Sequence, residues 1–380
     1  MSGGRAPRIL VDATAVPADR GGVGRYVDGL IAALGRADAD LVVVSQRADA
    51  ERYSRMAPTA EVLPAPAAIA HRPARLAWEQ TGLPLVAQQV GAGVIHSPHY
   101  TLPLAAKCPV VVTIHDATFF AEPQHYDKAK GTFFRSATKT ALRRAARVIV
   151  PSKATRDELI RLLDADATRL DVAYHGVDMG MFHIPDEPER ARVRARLGLG
   201  GATYVAFLGS QEPRKNVPNL IRGWARACAG REMAPALVIA GGSGHDNEIE
   251  TAIADIPPHL RLLRPGYLRF ADLPGYLGGA VVVAYPSHGE GFGLPVLEAM
   301  ACGACVLTTP RLSLPEVGGD AVAYTGEEAD QIGTDLAALL DDPARREALG
   351  AAGRARAKEF TWDASAEAHL ASYERAASGR

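Results

Sequence analysis

The chain predicts an α/β fold of two Rossmann-like, doubly wound domains facing each other, and three observations carry that expectation. Short apolar, β-branched runs alternate with helical patterns along the sequence, as in parallel sheets covered by helices. The alternation breaks between Met179 and Gly201, where Pro185, Pro188 and the run Arg190, Arg192, Arg194, Arg196 make a linker and a short helix. A second strand–helix series then starts at Tyr204. At 380 residues, each of two domains has room for a full core.

Bulk properties exclude several classes. The 47% hydrophobic and 22% charged fractions are those of an ordinary globular protein. Lys plus Arg (42) nearly cancels Asp plus Glu (43), which argues against a general nucleic-acid binder. No stretch reaches the roughly 18 apolar residues that a membrane span needs. The opening MSGGRAPRILVDA lacks the apolar run of a signal peptide, so a cytoplasmic chain is expected. Cys302 and Cys305 have C-x2-C spacing, but Cys108 and Cys228 are too distant in sequence to complete a metal set. The two thiols fall across a helix end and a strand start, so they are expected to be buried structural cysteines.

In the first half, Arg8–Val16 is the expected first strand, and Gly21-Gly22-Val23-Gly24 leads into a helix ending near Leu34. Strand, glycine loop and helix make the first turn of a doubly wound sheet, where anions can sit on the helix N-terminus. The loop lacks the G-x-G-x-x-G spacing, and Leu41–Ser45 is followed by Gln46 rather than an acid, which argues against a classical dinucleotide site. A plain tight turn stays open as the alternative. Gly82 and Pro84 interrupt Ala74–Val90, predicting two short helices. Val94–Ser97 and Pro109–Ile114 are strands, and His115 and Asp116 follow the second at the carboxyl end, where such sheets bind ligands. Lys128–Ala146 reads as a helix with Lys130, Arg135, Lys139, Arg143, Arg144 and Arg147 in or beside it. A solvated basic face is the stronger reading, and peripheral contact with an anionic membrane is the alternative. Arg147–Pro151 and Val172–Tyr174 complete the strands, with Ser152 capping the helix between them.

The second half repeats the pattern with strands at Tyr204–Leu208, Leu237–Ala240, Leu260–Leu263, Val281–Tyr285 and Cys305–Thr308. Gly209 follows the first of these, and Arg214-Lys215-Asn216 comes shortly after. An Arg fork beside a Lys point charge suits a doubly charged group such as a diphosphate. After Tyr285, the segment Pro286–Gly289 breaks the strand and a helix opens near Leu294. Gly289, Gly291 and Gly293 leave little side-chain bulk between them, so backbone N–H groups can approach an anion. Glu290 and Glu298 bracket this loop. A negative charge beside a phosphate is costly, so each is expected to face hydroxyl donors. A strand–turn–helix with acidic capping residues is the simpler alternative.

Glu290-Gly-Phe-Gly-Leu-Pro-Val-Leu-Glu298, followed by Ala-Met-Ala-Cys-Gly, resembles the Glu-x7-Glu signature of the retaining glycosyltransferase family 4, the large group 1 family. The resemblance runs over nearly the whole chain and is strongest from Tyr204 to Tyr324. It implies a GT-B architecture with a central cleft, donor on the C-terminal half and acceptor on the N-terminal half. Domains of 1–180 and 181–360 are expected, with a closing helix over 361–380 that crosses back to the first. The implied activity is hexose transfer from a nucleoside-diphosphate sugar with retained configuration.

Arg214 and Lys215 match the family's diphosphate loop, His115 its strand-end histidine acting on the donor sugar, and Glu290 and Glu298 its sugar and ribose contacts. Gly209, Tyr267 in the nucleobase segment, Gly291, Phe292, Gly293 and Leu294 complete the implied donor site. Gly22 and Gly24 fall at the cleft, and Asp116 is a weaker acceptor candidate. No Asp-x-Asp clamp follows a strand, since Asp164-Ala-Asp166 ends a helix, so no metal and no cofactor are expected. Motif form most resembles enzymes using GDP-mannose, and a glycan, lipid-linked or small-molecule hydroxyl is the expected acceptor. A nucleotide-sugar 2-epimerase of the same fold and a silent sugar-binding protein are the other classes that fit.

Overall fold

The computed structural model describes residues 6–17, 20–244 and 246–379, and the chain divides into two compact units. Unit one comprises Met1–Gly176 and Phe360–Arg380, and unit two Val177–Glu359, so the expected boundary at 180/181 falls just inside the second. The first five residues of the opening segment, and Ala18 and Asp19 after the first strand, lie outside the described residues.

Among its described residues unit one holds seven strands: β1 Ile9–Asp12, β2 Leu41–Ser45, β3 Glu61–Pro64, β4 Val94–Ser97, β5 Val110–Thr113, β6 Arg147–Val150 and β7 Leu170–Val172. They form one parallel sheet in the order β3-β2-β1-β4-β5-β6-β7. Strands β1, β2, β4, β5 and β6 are buried throughout, which is why each reads as a continuous apolar run. Alternate side chains feed opposite cores: Leu10, Val42 and Val44 on one face, Ile9, Val11 and Val43 on the other.

Unit two repeats the plan with β8 Tyr204–Leu208, β9 Ala236–Ala240, β10 Leu262–Gly266, β11 Val282–Tyr285, β12 Val306–Thr308 and β13 Ala323–Tyr324. Its order is β10-β9-β8-β11-β12-β13, again parallel. Strand order reverses beside β1 in one unit and β8 in the other, so both are doubly wound and Rossmann-like.

Several expectations need correction. Residues 74–90 form one helix, Arg72–Gln89, with Pro84 inside it. Its buried residues Arg75, Glu79, Leu83 and Ala87 recur every four positions, and burial of that stripe outweighs the local cost of Gly82 and Pro84. The first strand ends at Asp12, whose side chain accepts the Thr14 N–H (3.0 Å) and turns the chain. Strand β7 lies two residues before its expected start, and β10 runs on to Gly266. Strands β3 and β13 have no counterpart in the sequence reading. The first is a largely exposed edge ending in proline and the second is two residues long.

The C-terminal helix Trp362–Ala377 packs within unit one through an all-neutral polar chain. The Ser365 carbonyl can only accept, so His369 Nδ1 donates to it (2.7 Å) and Nε2 accepts from Tyr26 Oη (2.8 Å). Tyr26 in turn accepts from Thr113 (2.8 Å), which accepts from His96 Nε2 (2.8 Å). His96 Nδ1 accepts from Tyr373 (2.9 Å). Burial pushes His96 and His369 down, the latter to about 4, so both rings are neutral. Gly29 and Gly176 are required here, since a Cβ on either would lie 2.2 Å from an atom of Trp362.

Candidate active site

The carboxyl edge of the unit-two sheet gathers the charged residues. Strand β8 ends in Gly209, and the chain then passes through the turn Pro213–Lys215 into the helix Val217–Cys228. Asn216, at φ 58°, makes the sharp entry and anchors it by donating to the Glu327 carbonyl (2.7 Å). Strand β11 ends in Tyr285, and its loop reaches the helix Leu294–Ala301 through Gly293, whose φ of 101° favours glycine.

These two loops bring Arg214, Lys215 and Glu290 together. Arg214 Nη1 donates to Glu290 Oε2 (2.9 Å) and Lys215 Nζ to Oε1 (2.5 Å). The same Oε1 accepts from Ser287 (2.7 Å) and Tyr285 (3.0 Å), while Lys215 also donates to Tyr285. The one Ser287 hydroxyl proton is shared between Glu290 and the Arg214 carbonyl (2.9 Å), which ties the loops, and Ser313 holds the Glu290 carbonyl (2.8 Å).

The electrostatics follow from burial. Desolvation pushes Lys215 down, the Arg214 charge adds to it, and Glu290 offsets only part, leaving the amine at about 8. Burial pushes Glu290 up, but Arg214, Lys215 and the hydrogen bonds outweigh it and hold the carboxyl at about 2. Arg214 Nε also donates to Glu212 (3.3 Å), so two cations and two carboxylates balance one another at this loop.

The expectation that Glu290 faces hydroxyl donors is corrected in part. It accepts from two hydroxyls, but its main partners are the cations, because two positive groups buried side by side demand a counter-charge. Tyr285 and Ser287 were missed by the sequence reading. Their signal was position, one ending a buried strand and the other two residues beyond it.

The remaining candidates fall as follows. Glu298 is 2% exposed, in the helix Leu294–Ala301, and Gly291, Phe292 and Leu294 are buried around its start. Gly209 packs against the neighbouring loop: a Cβ on Gly241 would lie 2.1 Å from its carbonyl oxygen. Tyr267 follows β10 with 63% of its surface exposed, and a Cβ on Gly242 would lie 2.5 Å from its hydroxyl. Cys302 and Cys305 are buried, and burial pushes both thiols up.

His115, Asp116, Gly22 and Gly24 belong to unit one. His115 Nε2 donates to the Pro98 carbonyl (2.7 Å), and burial pushes the ring down, so the neutral form carries its lone pair on Nδ1. Asp116 turns back to accept from the Thr118 hydroxyl (2.8 Å) and N–H (3.2 Å). Gly22 opens the helix Gly22–Arg36 and nothing would meet a Cβ there, whereas Gly24 is packed against Arg20 and Val16. Asp164 closes the helix Lys153–Leu163, and Asp166 accepts the Thr168 N–H (2.9 Å), so both belong to a turn.

Comparison with known proteins bears on the family and the fold. Residues 20–180 match the family described as Glycosyltransferase Family 4, and residues 189–356 match Glycosyl transferases group 1. The chain is 30% identical over 278 residues to the O-antigen chain mannosyltransferase B of Escherichia coli, covering 71% of each protein. It is 36% identical over 257 residues to a D-inositol 3-phosphate glycosyltransferase of Kineococcus radiotolerans, covering 62% of this chain and 58% of that one. Among solved structures, sucrose-phosphate synthase from Thermosynechococcus elongatus superposes with a TM-score of 0.78 at 21% identity, over 97% of this chain and 98% of that one. Anabaena HepE in complex with UDP-glucose gives 0.75 at 19% identity, over 96% and 98%. Both likenesses bear on the fold.

Proposed function

We propose that this chain, which belongs to the group 1 glycosyltransferases with the GT-B fold, moves a hexose from a nucleoside-diphosphate sugar to a hydroxyl acceptor with retained configuration. The observation that carries the reading is the convergence of Arg214 and Lys215 on the glycine loop that opens the helix Leu294–Ala301. A leaving diphosphate gains negative charge as the glycosidic bond breaks. Two fixed cations and the N–H groups near Gly293 and Leu294 favour that charge more in the transition state than in the bound donor.

The carboxylate nearest the sugar, Glu290, is already committed to the cations, which favours front-face attack over a covalent intermediate. The acceptor hydroxyl attacks the anomeric carbon while the departing phosphate oxygen takes its proton. Glu290 holds the cations and the sugar hydroxyls, Glu298 the ribose, His115 the donor sugar and Tyr267 the base. Mannose from GDP-mannose is the favoured donor, on motif form and on the similarity to a mannosyltransferase; the inositol phosphate relatives favour a phosphorylated polyol acceptor. No metal or cofactor takes part in this scheme, because the cation pair supplies the charge that a divalent ion would. Turnover in EDTA is therefore expected to match turnover in magnesium, and rescue of a chelated, dead enzyme by magnesium or manganese would refute the scheme.

Measuring binding and acceptor-dependent release of nucleotide across GDP-, UDP-, dTDP- and ADP-sugars tests the whole reading. Release with GDP-mannose alone supports the donor assignment, and interconversion of donors without acceptor would favour an epimerase.

A further inference from the structure

Strand β5 ends at Thr113, and the short segment that leaves β4 wraps over that end. The Tyr100 N–H donates to the Thr113 carbonyl (3.0 Å), the Pro98 carbonyl accepts from His115 Nε2 (2.7 Å), and the Tyr100 hydroxyl accepts the Asp116 N–H (3.2 Å). Residues 98–100 therefore grip His115 twice, through its ring and through the peptide that follows it.

The grip depends on a conformation that costs free energy. Tyr100 has φ 58°, in the left-handed region that a bulky aromatic residue rarely enters. The Thr101 N–H donates to the His99 carbonyl (2.6 Å) and closes a γ-turn on Tyr100, of the strained kind with positive φ. Such a turn persists only where its surroundings over-determine it. Tyr100 is 3% exposed, with the Phe134 ring 5.1 Å from its own and the Phe119 ring at 6.0 Å. Just downstream, Gln80 of the helix Arg72–Gln89 donates to the Leu102 carbonyl (2.9 Å) and accepts the Leu104 N–H (3.0 Å). The Thr101 hydroxyl donates to Glu79 of the same helix (2.7 Å). Helix and aromatic cluster together hold the turn in place.

The consequence falls on one proton. A carbonyl oxygen can only accept, so the Pro98 contact keeps the His115 proton on Nε2 and leaves Nδ1 as the acceptor. Burial pushes the ring down and keeps it neutral, so its tautomer decides which hydrogen bonds it can make. Backbone strain of this kind gathers where geometry serves function.

We infer that Tyr100 is a positioning residue of the transfer reaction: its strained turn and its hydroxyl fix His115 in one orientation and one tautomer, so that Nδ1 accepts from a hydroxyl of the donor sugar. The inference rests on the assignment of His115 to that sugar and names what the assignment requires.

The test uses the full chain with isotope-labelled histidine. Long-range proton–nitrogen NMR reads which ring nitrogen carries the proton, and the His115 signal is assigned by its loss in His115→Gln. Native His115 is expected to be protonated on Nε2 alone. Tyr100→Phe keeps the ring and removes the hydroxyl. Its His115 signal is expected to average over both tautomers, while those of His96 and His369 stay native and report an intact unit one. Calorimetry then compares GDP-mannose with GDP, or the matching pair for whichever of the UDP, dTDP and ADP sugars the chain prefers. In Tyr100→Phe the ratio of the two dissociation constants is expected to shift against the sugar nucleotide by about threefold or more, the partial loss of one hydrogen bond. The bare nucleotide is expected to bind within about twofold of native. A native proton on Nδ1, or a native result for Tyr100→Phe in either readout, overturns the inference. A native ratio in His115→Gln would overturn the assignment of His115 to the sugar itself, and this role for Tyr100 with it.

Discussion

Each unit holds a polar cluster within its parallel α/β core, and the two clusters are built in opposite ways. Unit one buries His96, His369, Tyr26, Tyr373 and Thr113 in a chain where every ring is neutral and every donor has an acceptor. Unit two buries Lys215 and Glu290 as ions, with the half-buried Arg214 and Glu212 completing a cluster of two cations and two carboxylates. A neutral network can be complete within the fold, so it serves to fasten the C-terminal helix. An ionic cluster in a loop can trade a carboxylate partner for a bound anion, which is what a binding loop requires.

Removing one of the cations should have the largest effect. Lys215→Ala is expected to lower turnover by about 3–4 kcal/mol of transition-state stabilisation, two to three orders of magnitude. A change of ten per cent in steady-state turnover would make the pair surface decoration.

Next comes the counter-charge. Glu290→Gln leaves the buried Lys215 without its carboxylate and should cost about 3 kcal/mol of stability in denaturant unfolding. It should also depress turnover, while bare nucleoside diphosphate, itself an anion, binds at least as well as before. Glu298→Gln should behave oppositely, weakening nucleoside diphosphate by about 1–3 kcal/mol with less effect on turnover. Calorimetry showing the reverse pattern would exchange the sugar and ribose assignments.

Acid separates the units more gently. Burial depresses His96 and His369, so below about pH 6.5 the unfolded chain binds more protons than the folded one. Stability is full above that pH and falls toward about 4, with His369 alone contributing on the order of 2 kcal/mol by pH 5. Asp171, the charged group acting on His369, opposes this shift weakly. The depressed Glu290 keeps its charge throughout this window, and its contribution fades only as pH falls from about 4.5 toward 2. Hydrogen exchange at pH 5 against pH 7 should therefore loosen Trp362–Ala377 and spare Leu294–Ala301, and uniform protection would contradict the contrast.

The smallest effect is expected at the outer face of the helix Lys128–Arg144. If Lys139, Arg143 and Arg144 meet an anionic membrane, sedimentation with liposomes should need acidic lipid and fall with salt. Equal recovery with neutral vesicles would leave these cations as a solvated face.

How much of this was legible beforehand depends on range. The central strands were readable because a parallel strand buried on both faces must be apolar along its length, as β2, β5 and β8 are. Edges β3 and β13 carry no such constraint and left no mark. The loops bearing Arg214, Lys215, Glu290 and Glu298 were legible because glycine, proline and strand ends are local signals. Partnership was not. Nothing adjacent in sequence says that Glu290 meets Lys215, 75 residues away, or that His96 reaches Tyr373 across 277. Nor does local sequence place the Tyr100 hydroxyl on the peptide after His115. Sequence by itself determined the two doubly wound series and the residue types at their strand ends. Only tertiary structure decided which charges share a desolvated space, because Coulomb and desolvation energies depend on distance and burial rather than on order along the chain.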